Sequence, residues 1–186
     1  MEILSLFCHA DAFHEQLKQI RPKLYRVAFS WSRNSALADD LVQETLIKAL
    51  RSKNQLRDSA KMNGWLFSIL ANCWRDHFRQ NRVMEDIDNL EDYQCVDNTT
   101  PENDHAQSQI AARVLEAVAR LPMGQRQVLT LVDLEEFSYV EVAGILSIPI
   151  GTVMSRLCRA RQTLKLHLQE FAPDQSTQHR QIRRVI

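Results

Sequence analysis

The sequence contains few of the residues that bend a polypeptide chain. Among 186 residues there are only 4 glycines and 5 prolines, about 5% of the chain, whereas these two types contribute roughly 12% of an average protein. β-Sandwiches, barrels and propellers need such residues at their many turns, so we exclude those folds. Four separated glycines also cannot form the GxGxxG or GxxxxGK[ST] loops that cradle phosphates. The sequence therefore excludes the common nucleotide-binding sites as well.

Long apolar runs and secretion signals are also missing from the sequence. No stretch of 18 apolar residues occurs, so we expect no membrane insertion. The N-terminus, MEILSLF, has no basic flank and is not a secretory signal. The four cysteines contain no CxxC pair, which fits a chain in the reducing cytoplasm.

A metal centre is a weak prediction of this sequence. Cys8, His9 and His14 could supply three ligands, but no fourth ligand follows at a spacing typical of zinc sites. The alternative is an amphipathic N-terminal helix that happens to contain them. We therefore expect no metal and no cofactor. No paired carboxylates or nucleophile–base set is apparent either, so we expect no enzyme.

The net charge of zero conceals two basic blocks around an acidic strip. Residues 1–82 carry a charge of +5, residues 83–107 carry −8 and residues 108–186 carry +3. The strip has no helical periodicity and includes Thr-Thr-Pro-Glu-Asn, which is typical of a loop. We interpret it as a flexible acidic linker that leaves the two halves uncoupled. Basic blocks suit a polyanion-binding protein, although a solvated surface has a similar composition.

Apolar residues recur at steps of three and four on both sides of the linker, which predicts an all-α protein of two small helical domains. In the N-terminal half, Arg33-Asn34-Ser35 separates the first helix from the second, with Ser35 as the expected cap. The predicted helices after the first span about 36–53, 63–82, 110–121, 125–135, 139–146 and 150–168. The predicted domains are residues 1–82 and 108–170, with the linker 83–107 between them and a tail at 171–186.

The C-terminal half contains a helix-turn-helix pattern. Ser138 and Glu141 fit a capping box, and Pro149 suits the start of the longer second helix. On that helix one face is polar and basic: Thr152, Ser155, Arg156 and Arg159. Arginine can bridge guanine O6 and N7, and hydroxyls can reach phosphates or bases, so this face suits a DNA major groove. A plain solvated helix face is the alternative.

Two helices of the N-terminal half carry distinctive outer faces. On the helix from Trp65 to Arg82, the outer face has Asn72, Arg75, Asp76 and Arg79, bordered by Trp74 and Phe78. Arginines interleaved with aromatic rings suit unpaired bases, although all four aromatics of this helix could instead be core residues. On the preceding helix, Asp40, Gln43, Glu44 and Ile47 form an outer face. An exposed isoleucine among acids and amides is typical of a protein contact.

Together these segments resemble bacterial sigma factors of the extracytoplasmic-function (ECF) class. ADDLVQETLIKAL (residues 38–50) resembles their region 2.2, and WLFSILANCWRDHFRQNR (65–82) resembles regions 2.3 and 2.4. FSYVEVAGILSIPIGTVMSRLCRARQTLK (137–165) resembles region 4.2. Only 25 residues join the two blocks, which indicates the minimal two-domain form of the family.

The resemblance implies a role for each face. Asp40, Gln43, Glu44 and Ile47 would bind the clamp coiled coil of the polymerase β′ subunit. Asn72, Arg75, Asp76 and Arg79 would bind the −10 element, with Asn72 on an unpaired base. Thr152, Ser155, Arg156 and Arg159 would bind the −35 element. The implied partners are core RNA polymerase, including its β flap, promoter DNA and an anti-sigma factor, and the free protein would be a cytoplasmic monomer.

Two positions depart from the family pattern. Met154 stands where relatives carry Lys or Arg, which puts one basic −35 contact in question, and Ser147 stands where the turn often has Gly. A second interpretation is a helix-turn-helix regulator whose N-terminal helices sense a ligand. That interpretation leaves the outer faces around Ile47 and Asn72 without a role.

Overall fold

The computed structural model describes the backbone of residues 2–56, 58–85 and 107–170. Side chains are described for residues 13–56, 58–79 and 113–169. Within these ranges the chain is helical and contains no β-strand, as the sequence predicts. The helices are α1 (Glu2–Ser32), α2 (Ser35–Arg51), α3 (Met62–Glu85), α4 (Gln107–Ala119), α5 (Met123–Leu129), α6 (Tyr139–Leu146) and α7 (Ile150–Glu170). Short 3-10 turns at Lys53–Gln55 and Ser59–Lys61 join α2 to α3.

The first three helices form a bundle around the apolar stripe of α1. Leu24, Val27 and Ala28 are fully buried there, as their spacing predicts. Between α1 and α2 the chain turns at Arg33, whose φ of 55° lies in the left-handed region. Asn34, not Ser35, is the N-cap of α2, because its side-chain oxygen accepts a hydrogen bond of 3.0 Å from Leu37 N. The predicted cap was wrong by one residue.

The last four helices contain the predicted helix-turn-helix. The segment predicted as one helix at 125–135 is α5 followed by a π-helical turn, Thr130–Leu134, which Glu135 N closes by donating to Thr130 O at 3.2 Å. α6 and α7 meet at 105°, within the range typical of helix-turn-helix pairs. Val153, Leu157 and Ala160 of α7 are buried, which confirms the predicted inner face.

The two halves are not uncoupled in this structure, because they share one hydrophobic core. The same cluster of buried residues runs from Leu24 and Trp31 in α1, through Leu70 in α3, to Val128 in α5 and Val153 in α7. The expectation that the two helical domains are uncoupled came from the acidic strip between them. Periodicity shows which face of a helix is buried and does not show what covers it.

Some predictions fall at the edge of the described residues or beyond it. α3 continues to Glu85 and α4 begins at Gln107, so the predicted linker lies, apart from residues 83–85 and 107, outside the described residues. The tail 171–186 and the side chains of Cys8 and His9 lie outside them too. In the described part of the chain, no single helix is long and apolar enough to span a membrane. α6 and α7 have the necessary length and composition only when they are taken together, as a bent pair.

Candidate nucleic-acid and protein interfaces

The outer face of α2 combines acidic and apolar side chains. Asp40, Gln43 and Glu44 are exposed, and Ile47 is 48% exposed beside them. Leu50, which the periodicity assigns to the inside, is 40% exposed. Because Ile47 and Leu50 are three residues apart, their side chains are neighbours on one face of the helix. The four predicted residues are therefore together, and Leu50 enlarges the apolar part of their surface.

The outer face of α3 is organised by hydrogen bonds among its own polar side chains. Arg75 Nη1 donates to Asn72 Oδ1 at 2.9 Å, and Arg79 Nη2 donates to Asp76 Oδ1 at 3.1 Å. The second oxygen of Asp76 lies 3.7 Å from Nζ of Lys48 on α2. These contacts bring all four predicted residues of α3 together and orient the amide and the guanidinium groups before any ligand arrives.

The aromatic residues of α3 divide between core and surface. Phe67 is 1% exposed and Trp74 is 4% exposed, so the core interpretation is confirmed for both. Phe78 is 39% exposed, and its ring lies 4.6 Å from that of Trp74. Trp65 is half-buried. Phe78 is therefore the most exposed aromatic ring of this helix, and a base could stack on it with Trp74 packed behind it.

An open cleft lies between α2 and α3 beside this face. Its lining residues are Lys48, Arg51, Ser52, Ile69, Asn72 and Asp76. Two of them are basic, one carries an amide, one a hydroxyl and one an apolar side chain. The sixth, Asp76, is a carboxylate whose charge is offset by Lys48 and Arg79. This is a set that suits a nucleobase and its phosphate. Arg51 is exposed on the outer side of α2, as its spacing predicts. Lys48 was not predicted at this site, although it follows Glu44 at helical spacing.

Lys48 connects the two outer faces of the N-terminal half. Its Nζ lies 2.8 Å from Glu44 Oε1 on its own helix as well as 3.7 Å from Asp76 on α3. The hydrogen bond to Glu44 is the main cause that raises the pKa of Lys48 above its ordinary value. Behind it, burial raises the pKa of the Cys73 thiol. A buried thiol with a raised pKa is unreactive.

The outer face of α7 is only partly open. Ser155 and Arg159 are exposed and joined, because Arg159 Nε donates to Ser155 O at 3.2 Å. Thr152 is half-buried next to them. Arg156 is also half-buried, and it lies across Gly124 of α5. A Cβ at position 124 would come 3.0 Å from the Arg156 guanidinium carbon. A side chain at 124 would therefore force Arg156 to move.

The capping box at the start of α6 is present as predicted. Ser138 N donates to Glu141 Oε2 at 2.8 Å, and Glu141 N donates to Ser138 Oγ at 3.3 Å. The Ser138 hydroxyl also donates to Glu141 Oε2, at 2.6 Å. This bond first, and then the bond from Ser138 N, lower the pKa of the Glu141 carboxyl. The reciprocal cap fixes where the helix-turn-helix begins.

The turn between α6 and α7 also matches the predicted motif. Ser147 has φ 55° and ψ 46°, the left-handed conformation that usually requires glycine. Met154, the second departure, is 53% exposed on α7. The structure therefore keeps the turn in spite of Ser147. At position 154 the helix exposes a thioether, where a basic Lys or Arg side chain is expected in relatives.

Metal ligation finds no support among the described side chains. No group of three or more His, Cys, Asp or Glu residues in that part of the chain could hold a metal ion. Cys73 is buried and Cys158 is exposed, each as a free thiol.

Comparison with known protein families matches both halves of the chain. The profile described as Sigma-70 region 2 matches residues 17–83, and the profile described as Sigma-70, region 4 matches residues 111–164. The first contains the faces of α2 and α3, and the second contains the helix-turn-helix. The two regions follow each other in the order that the resemblance implies.

Individual relatives match over nearly the whole chain. The ECF RNA polymerase sigma factor EcfG of Rhodopseudomonas palustris is 34% identical, over 88% of this chain and 92% of that protein. SigM of Mycobacterium tuberculosis is 32% identical, over 88% and 81%. Among solved structures, the sigma factor RpoE of Bartonella quintana, crystallised with the anti-sigma factor NepR, has a TM-score of 0.73 and 30% identity, covering 85% of this chain and 97% of that one.

Proposed function

The chain belongs to the ECF class of RNA polymerase sigma factors, and we propose that it directs core polymerase to promoters through the faces of α2, α3 and α7. In this proposal residues 1–82 bind polymerase and the −10 element, and residues 108–170 bind the −35 element. The acidic residues 83–107 connect the two parts and follow the path of nucleic acid through the polymerase. The protein acts in the cytoplasm, where it contributes binding energy and no bond chemistry or cofactor.

The face of α2 is the observation that carries this proposal. Ile47 is 48% exposed and Leu50 is 40% exposed, with Glu44 and Asp40 beside them. A regulator that binds only duplex DNA has no use for an acidic and apolar surface, because DNA repels carboxylates. A protein surface with basic and apolar side chains fits it, and we assign that partner as the clamp coiled coil of the polymerase β′ subunit.

The face of α3 is proposed to bind the −10 element as unpaired bases. Asn72, held by Arg75 at 2.9 Å, would hydrogen-bond a base that enters the cleft between α2 and α3. Phe78 would stack on a neighbouring base, and Arg79 would contact phosphate. Extruding a base costs a few kcal/mol, and each stacked base returns roughly 1–3 kcal/mol. Capturing unpaired bases is therefore enough to favour melting.

The face of α7 is proposed to lie in the major groove of the −35 element. Ser155 and Arg159 are exposed for that contact. The Arg156 side chain would move away from Gly124 to contact a base. Thr152 lies at the N-terminal end of α7, the end at which recognition helices approach base edges. The β flap of polymerase is the proposed support for this half of the protein.

An anti-sigma factor is the proposed regulatory partner. The neighbour from Bartonella quintana was crystallised with one, and its fold covers 85% of this chain. A partner that blocks a sigma factor must cover the faces described above, and both halves of this chain expose such faces. The free protein is proposed to be a monomer.

Substitution of Ile47 tests the proposal at the face that carries it. Ile47→Lys keeps a good helix former and replaces the exposed apolar group by a charge. We expect at least a tenfold loss of affinity for bacterial core polymerase, measured by fluorescence anisotropy, and a matching loss of transcripts in a run-off assay on genomic fragments. Leu166→Lys is the matched control, because Leu166 is 62% exposed on α7 and has no proposed role.

Three outcomes are informative. Transcripts that share −35 and −10 elements, and that disappear with Ile47→Lys alone, would support the assignment. Equal binding by Ile47→Lys and the control would remove α2 from the polymerase interface. Tight, specific duplex binding without polymerase would favour a conventional helix-turn-helix regulator.

A further inference from the structure

The side of α7 that lies farthest from the core differs from the polar face predicted from the sequence. The buried side of the helix consists of Val153, Leu157 and Ala160. At about 100° per residue, the opposite side is centred on Ser155. Met154 and Cys158 lie on one flank of Ser155, where Met154 is 53% exposed and Cys158 is exposed as well. On the other flank, Thr152 and Arg156 are half-buried. The thioether and the thiol are therefore more open to a ligand than two of the four predicted residues.

The arginines of this helix segment are held by contacts within the protein. Arg156 lies across Gly124. Arg161 donates to both carboxylate oxygens of Asp133, at 3.1 and 2.5 Å. Arg159 donates to the backbone of its own helix at 3.2 Å. Each guanidinium must leave its contact before it can bridge a guanine, whereas the thioether and the thiol need no such rearrangement.

Met154 and Cys158 belong to one apolar surface with a basic edge. They are four residues apart, so their side chains are neighbours on the helix. Together with Tyr139 and Leu157 they line an open groove of about 400 Å³. The other lining residues of the groove are Arg161, Gln162 and Lys165. Apolar side chains next to positive charge fit a polyanion that carries apolar groups, as a DNA major groove does.

The major groove offers this surface one apolar group on a base edge. Thymine presents its 5-methyl group there beside one acceptor, whereas the edges of guanine, adenine and cytosine present only hydrogen-bonding groups. A thioether is a weak acceptor, and a thiol is a weak donor and acceptor. Burying either against a polar base edge leaves that edge without good partners, which costs free energy. The two side chains are therefore complementary to thymine and not to the other three bases.

We propose that Met154 and Cys158 select thymine in the −35 element through contact with its 5-methyl group. The proposal rests on the function proposed above and names the base that this part of α7 reads. The two residues are about 6 Å apart along the helix axis, and stacked bases are about 3.4 Å apart, so the pair spans two neighbouring base pairs. At position 154 the chain thus exchanges the attraction of a basic side chain to phosphate or guanine for a preference for thymine.

Replacing single thymines by deoxyuridine tests the contact at the level of one group, because it removes the methyl and keeps the base pairing. The replacements are made one at a time, in both strands of the −35 element of a promoter that the run-off assay identifies. Fluorescence anisotropy measures the affinity of the complete holoenzyme for each duplex. We expect the parent to lose about fourfold in affinity at one or two adjacent A·T pairs, the effect of burying one methyl-sized group.

Two variants of the full-length chain assign the methyl contact to its residues. Met154→Ala and Cys158→Ser should each abolish the difference between thymine and deoxyuridine at one position and leave the other position unchanged. Leu166→Ala is the matched control, because Leu166 is 62% exposed on the same helix, about two turns beyond Cys158. It should keep the full sensitivity of the parent to deoxyuridine.

Met154→Arg provides a test of opposite sign at the same position. The added charge should raise the affinity of the holoenzyme at low salt and steepen the salt dependence of log K by about 1. The preference for thymine over deoxyuridine at that position should disappear. A variant that gains affinity and keeps the preference would show that Met154 does not contact the methyl group.

Three further results would overturn the thymine contact while the unmodified promoter is still transcribed. They are a −35 element without A·T pairs, no effect of deoxyuridine at any position, and an effect that Met154→Ala and Cys158→Ser leave unchanged. Failure of the proposed function looks different, because the holoenzyme would then give no transcripts from any genomic fragment. That result would overturn the function and the thymine contact with it.

Discussion

Replacing Ser147 by glycine should stabilise the protein although it removes a side chain. Ser147 has φ 55° and ψ 46° at the end of α6. Its N–H donates to Gly144 O at 3.3 Å, and Ile148 N donates to Ala143 O at 3.0 Å. This pair of bonds is the Schellman motif that ends many helices, and it requires a left-handed residue at this position.

The expected size follows from two opposing terms. A non-glycine residue in the left-handed conformation costs about 1–2 kcal/mol. Glycine recovers that cost but loses about 0.5–1 kcal/mol of chain entropy on folding. The net gain for Ser147→Gly is therefore about 0.5–1 kcal/mol, which raises Tm by about 1–4 °C for a chain of this size.

Ser68→Gly provides the matched control with the opposite sign. Ser68 lies inside α3, and its hydroxyl donates to Trp65 O at 2.7 Å. Glycine in a helix interior relieves no strain, so we expect a loss of about 0.5 kcal/mol or more. Urea titrations followed by circular dichroism would compare both variants with the parent. A midpoint for Ser147→Gly equal to or below that of the parent would refute the argument that strain is stored at this turn.

Two further predictions concern α6 and α7. Arg156→Ala should reduce discrimination among −35 sequences by about 1–3 kcal/mol in transcription by the holoenzyme, and an equal loss on every −35 sequence would indicate a phosphate contact. Folding lowers the pKa of Glu141, so its contribution to stability is present above the unfolded value of about 4.3 and is lost as pH falls through the folded value. Glu141→Gln should therefore be less stable than the parent at pH 7, and this difference should disappear in acid. A difference that does not change with pH would exclude the ionised cap.

Local sequence signals predicted the local structure of the C-terminal half well. Ser138 and Glu141 form the expected capping box, since both partners lie within one helical turn and need nothing else from the fold. The cap of α2 was assigned to Ser35, whereas Asn34 provides it. Both residue types are good caps, and only the backbone conformation at position 34 distinguishes them.

Long-range packing was beyond the reach of periodicity. Leu50 has the spacing of a core residue but is 40% exposed, because no helix in the described part of the chain covers that end of α2. Trp31 and Phe137 are apolar residues that any core could bury, and nothing in the sequence indicates that they join the two halves. The position of Arg156 across Gly124 was equally invisible, since the two residues are far apart in the chain.

The residues that hold the halves together are largely distinct from those proposed to bind polymerase and DNA. Trp31, Arg126 and Thr130 lie at the contact between the halves, and of the proposed binding residues Arg75 also contacts the opposite half. Substitutions at this contact should therefore change the stability of the protein, and substitutions on the face of α7 should change the choice of −35 sequence. A partner that binds both halves in the arrangement described here gains affinity, because the cost of ordering the halves relative to each other has already been met.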